Sequence, residues 1–72
     1  MELHWEEGFE IAVTVEDGTA MISANREGML SLANHLMALA EAAPGDHIHL
    51  DTYNSLEEGS AELILERRKN SC

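Results

Sequence analysis

A chain of 72 residues with a formal net charge of −10 has room for one small domain, spanning residues 1–72, and no second core. All fourteen acidic residues lie at or before Glu66, and Arg26 is the only Arg or Lys before Arg67. Such a body repels nucleic-acid backbones and anionic membranes and suits basic protein partners.

A single cysteine, Cys72, leaves no intrachain disulfide to expect, and such crosslinks are the usual support of small secreted domains. No charged start followed by an apolar run opens the sequence, and no apolar stretch approaches membrane-spanning length. A cytoplasmic chain is the expectation.

Residues 10–16 alternate, with Ile11, Val13 and Val15 on one side and Glu10, Ala12, Thr14 and Glu16 on the other, the pattern of a half-buried strand. Upstream, Leu3 and Trp5 extend that pattern if Gly8 marks a bulge. Asp17-Gly18 suits a type I′ hairpin turn, whose two central residues both need positive φ. A two-residue turn there pairs Val15 with Ala20, Val13 with Ile22 and Ile11 with Ala24, apolar against apolar at each step.

Asn25 is a good N-cap for a helix over residues 26 to about 42. Met29, Leu32, Ala33, Leu36, Leu39, Ala40 and Ala43 form its apolar stripe, while Glu27, Asn34, His35 and Glu41 fall off it. Pro44-Gly45 ends the helix. Residues 46–51 alternate again with Ile48 and Leu50 inward, residues 52–60 form a polar loop, and residues 61–67 form a last strand with Ala61, Leu63 and Leu65 inward. Residues 68–72 read as a frayed tail.

The expected fold is therefore α+β, a two-layer ββαββ sandwich with one helix packed on an antiparallel four-stranded sheet. Strand orders 2-1-3-4 and 1-2-4-3 both satisfy antiparallel pairing.

Two segments carry chemistry worth weighing. On a strand, His47, His49 and Asp51 project to one face. Paired imidazoles with a carboxylate suit a metal site completed by His35 or His4, or a recognition patch whose charge changes near neutral pH. An ordinary polar outer face is the simpler account, and no cofactor is expected. The loop 52–60 is long for a connection between neighbouring strands. Its Tyr53 supplies a rigid amphipathic anchor and Leu56 an apolar one, and Glu57 and Glu58 supply charge for a basic partner. Leu56 folded back onto the core is the alternative.

No nucleophile stands in a glycine-flanked strand-to-helix turn, and the five glycines are scattered singly with no phosphate-cradling loop. The expectation is a protein without catalytic activity. Ala12, Thr14, Met21, Ser23 and Ile64 should share an uncovered sheet face with the histidines, a partly apolar surface open to a homodimer or another partner.

The run from Asn25-Arg26-Glu27-Gly28-Met29 through Pro44-Gly45-Asp46-His47-Ile48-His49-Leu50-Asp51 to Glu58-Gly59-Ser60-Ala61 resembles the Immunity protein 32 family. These are small bacterial proteins associated with polymorphic toxin systems. The likeness covers about residues 10–67 and rests on the His-x-His-x-Asp strand followed by Gly-Ser. It implies a non-catalytic module that binds and neutralises a cognate toxin, and it brings no binding residues with it. The residues favoured for such docking are His47, His49, Asp51, Tyr53, Glu57 and Glu58. The competing readings are a metal-binding protein using His47, His49 and Asp51, and a small homodimeric regulator or scaffold.

Overall fold

The computed structural model describes residues 2–69. Strands β1 (Ile11–Glu16) and β2 (Thr19–Ala24) precede helix α1 (Arg26–Ala40), and β3 (His47–Leu50) and β4 (Leu63–Glu66) follow it. The order of elements is the expected one; β2 has the expected bounds, and each of the others is trimmed at one or both ends by a residue or two. Of the expected frayed tail, Arg68 and Lys69 lie outside regular structure and residues 70–72 lie outside the described residues.

The first hairpin has the expected register throughout, from Ile11 opposite Ala24 to Glu16 opposite Thr19. Asp17 and Gly18 take φ of 50° and 80°, as the turn type requires. β3 and β4 form a second antiparallel pair, from His47 opposite Glu66 to Leu50 opposite Leu63. These are two separate two-stranded sheets, so the single antiparallel four-stranded sheet is not formed and neither expected strand order applies.

The reason lies on the free edge of β1. Segment 57–61, which leads into β4, runs beside β1: Glu57 N–H donates to Ile11 O and Ala61 N–H to Val13 O, both at 2.9 Å. Its partners advance in the same direction as the segment, so it lies parallel to β1. A tight turn from Ser60 N–H to Glu57 O interrupts the ladder, and Val13 N–H donates instead to Ser60 Oγ. A side chain thus satisfies a buried donor where the carbonyl of a neighbouring strand would otherwise do so.

Ile11, Val13, Leu32, Leu39, Ile48, Leu50 and Leu56 form one core shared by helix and hairpins. Burying each of these side chains favours folding by about 1.5–3 kcal/mol. Leu56 does fold into the core from the long loop. Val15, expected inward, is 62% exposed near the tip of the first hairpin.

The helix is turned relative to its apolar stripe. Its buried residues are Gly28, Ser31, Leu32, His35 and Leu39, whereas Met29, Ala33, Leu36 and Ala40 are exposed, as is Ala43 beyond its end. Leu3, Trp5 and Phe9 explain the turn, since all three pack against the core. This N-terminal segment is not a strand, and its backbone needs side-chain partners. Glu6 N–H donates to Ser31 Oγ at 2.8 Å and Asn34 Nδ2 donates to His4 O, while Trp5 lies edge-on to His35 with ring centroids 4.1 Å apart. Gly8 is not a bulge. It sits in a turn closed by Phe9 N–H to Glu6 O, with φ of 85°.

Both helix ends are tied to distant chain. Asn25 Oδ1 accepts from Gly28 N–H as an N-cap and from Glu10 N–H, and its Nδ2 donates to Gly8 O. At the other end no basic residue lies in the last turn. Arg67 supplies that charge from beyond β4, donating to Ala40 O and Ala42 O at 2.6 Å each. At Gly28 a Cβ would stand 2.5 Å from Glu10 O, so glycine lets the helix seat against β1 and β2.

Candidate functional site

The outer faces of the hairpins and the loop between β3 and β4 form one side of the molecule's chemistry. Along β3, Ile48 and Leu50 point into the core, so His47 and His49 point outward. Their rings meet edge to face at 4.9 Å, and His49 Nδ1 lies 3.4 Å from Glu62 Oε2. His47 Nδ1 is 3.5 Å from Gly45 O.

Asp51 does not join them, contrary to the alternation. The strand ends at Leu50, and Asp51 organises the loop instead. Its carboxylate accepts from Tyr53 N–H and Asn54 N–H, and its carbonyl accepts from Asn54, Ser55 and Leu56 N–H. Both of these side-chain bonds use Oδ1, which fixes the carboxylate in the turn rather than beside the histidine rings. His35 cannot complete a metal site either, since it is wholly buried against Trp5. His4 lies 3.0 Å from Glu6 on the N-terminal segment. Among the described residues no group of three or more His, Cys, Asp or Glu side chains is placed to hold a metal ion.

Loop capping by Asp51 leaves Tyr53 at the tip, 97% exposed. Ser55 Oγ hydrogen-bonds to Asn54 Oδ1 within the loop, while Leu56 anchors its far side in the core. Glu57 is held to β1 through its backbone, with its side chain and that of Glu58 in solvent. Ile64 is exposed and paired with His49, but half-buried Ala12 and exposed Thr14, Met21 and Ser23 belong to the other sheet, so the single uncovered sheet face expected to carry them all is not formed. Glu10, Glu16, Glu62 and Glu66 are exposed as well. No Lys or Arg lies in either hairpin or in the loop that joins β3 to β4.

The alternation offered no view of a groove of about 500 Å³ beside this surface. It is lined by Leu3, Trp5, Phe9 and Leu50, with His49 and Asn54 at its polar side. It exists because the N-terminal segment packs alongside rather than pairing as a strand. No local signal in the sequence marks that choice.

Fold and surface define a small α+β domain of two β-hairpins and one helix, acidic on its outer strand faces, with no helix among the described residues long and apolar enough to cross a membrane. The family profile described as Immunity protein 32 matches residues 19–68, from β2 to just past β4. The chain belongs to that family. No curated protein and no solved structure matches it significantly. The match includes the helix, the histidine strand and the long loop. It leaves out β1, which the sequence resemblance had taken in.

Proposed function

We propose that this protein is a non-catalytic immunity module that binds a cognate bacterial toxin and neutralises it by occlusion, acting in the cytoplasm of the producing cell. Membership of the Immunity protein 32 family supports a toxin partner. The observation that carries the docking site is the acidic surface of the two hairpins, free of Lys and Arg, with Tyr53 standing out at its edge. A surface of one sign attracts a basic protein and speeds encounter, and an exposed aromatic gives the complex an anchor. His47, His49, Tyr53, Glu57 and Glu58 are the contact residues on this reading, with Asp51 presenting the loop rather than touching the partner.

The test is co-expression with the toxin encoded beside it, followed by binding kinetics on the purified pair. Protection of the host cell and an association rate that falls steeply with salt are the expected results. Glu57→Gln with Glu58→Gln should slow association, and Tyr53→Ala should weaken the complex by about 2 kcal/mol. An association rate unchanged at low salt would remove the loop from the interface. A turnover reaction lost on changing His47 or His49 would refute the reading altogether.

A further inference from the structure

The exposed flank of the helix has a different chemistry, although Leu36 and Ala40 at its C-terminal end adjoin Glu66 and Arg67. From Gly28 to Ala40 the helix carries no Asp, Glu, Lys or Arg, in a chain with a quarter of its residues charged. Only one flank of it is used by the core. At 3.6 residues per turn, Met29, Leu30, Ala33, Leu36, Met37 and Ala40 fall within an arc of about 120° beside the buried one. All six are exposed, Leu36 at 53% and Met37 at 71%. The helix is thus apolar around far more of its circumference than its own domain covers.

We propose that this arc packs against the same arc of a second copy, with the two helices antiparallel. Two features of the chain specify a copy of itself rather than the basic partner. The first is size. An antiparallel twofold placed between Asn34 and His35 sets Met29 against Ala40 of the copy and Ala33 against Leu36 of the copy. Met29 and Leu36 then each face an alanine, twice over, as a self-complementary interface allows, with Leu30 and Met37 at the flank of the contact. The second is charge. Arg26, the only Arg or Lys before Arg67, stands 80% exposed at one end of the arc, 3.8 Å from Glu27 of its own chain, and exposed Glu41 stands at the other end. The antiparallel arrangement brings Arg26 within side-chain reach of Glu41 of the copy at both ends.

On the outer strand faces a second copy meets like charge. The outer strand faces carry Glu10, Glu16, Glu62 and Glu66, so a homodimer through the open sheet face would oppose carboxylates. The helix face is where two chains of charge −10 approach without that penalty. The dimer leaves both acidic surfaces free, so it stands or falls independently of the toxin-binding reading.

Sedimentation equilibrium of the full chain over a range of concentrations is the measurement, with far-UV circular dichroism as the control for folding. A monomer–dimer equilibrium is expected. Leu36→Glu, at an exposed position, should raise the dissociation constant at least ~100-fold by placing carboxylates near the twofold. Arg26→Glu and Glu41→Arg should each weaken the dimer roughly tenfold, and the two together should restore it to within about threefold of the original. That rescue distinguishes a register-specific contact from hydrophobic stickiness. A chain that stays monomeric at all concentrations, or a dimer indifferent to Leu36→Glu, overturns the proposal. The latter result would move the contact to another face.

Discussion

Replacing His35 with leucine should stabilise the protein, and more so as the solution is acidified. His35 is 0% exposed, and neither ring nitrogen has a hydrogen-bond partner among the described residues. An unpaired buried polar group costs about 1–3 kcal/mol, and leucine's different shape returns roughly 1 kcal/mol of that, leaving a gain of about 1 kcal/mol at neutral pH. Burial also lowers the pKa of His35 below its ordinary 6.5. The folded chain therefore refuses a proton that the unfolded chain accepts. Stability from this residue is fully present above pH 6.5 and is lost as pH falls below it, by at most about 1.4 kcal/mol per unit. Between pH 7.5 and 5.5 the gap between variant and parent should widen by up to about 1.4 kcal/mol, or up to about 10 °C in Tm for a domain of this size. The carboxylates and the other three histidines are common to both proteins and cancel in the difference. Urea and thermal unfolding at the two pH values would measure it. Parallel pH dependences in the two proteins would refute the reasoning, because they would mean that His35 is protonated equally in both states.

Arg67→Ala should cost about 1–2 kcal/mol in urea unfolding, since the carbonyls of Ala40 and Ala42 lose their donor and the helix loses the cation at its C-terminus. Asn25→Ala should cost about 2 kcal/mol, more than a simple cap, because the same side chain also holds Glu10 N–H and Gly8 O. Gly28→Ala should destabilise by thermal unfolding even though alanine favours helix by about 1 kcal/mol. The added carbon meets a backbone oxygen at 2.5 Å and two side-chain carbons at 3.0 Å or less. Ser60→Ala should cost about 1–3 kcal/mol, by leaving the buried Val13 N–H without an acceptor. Hydrogen exchange at Val13 reports that loss directly.

The long loop was legible only in outline: Tyr53, Glu57 and Glu58 are exposed, as its polar composition implied, but Asp51 leaves the strand to hold a turn. A carboxylate on an alternating strand and a carboxylate capping a turn look alike in one dimension. What separates them is that the ladder stops at Leu50, and that depends on β4 beginning at Leu63.

By itself the sequence determined what adjacent residues decide among themselves. Asp17-Gly18 set the turn, the turn set the register, and Asn25 with Pro44-Gly45 bounded the helix, since φ preferences and caps act over a few bonds. Only the tertiary structure decided which flank of the helix is buried, because Met29–Leu36 and Leu32–Leu39 are nearly equal in apolar content. The choice fell to Ser31, Asn34 and His35, which the N-terminal segment needs as neighbours for its backbone and for Trp5. The split of the sheet was settled in the same way, by a serine hydroxyl 47 residues along the chain taking the place of a strand. Contacts between distant residues carry no local signature, and they placed the acidic face and the apolar helix on different surfaces.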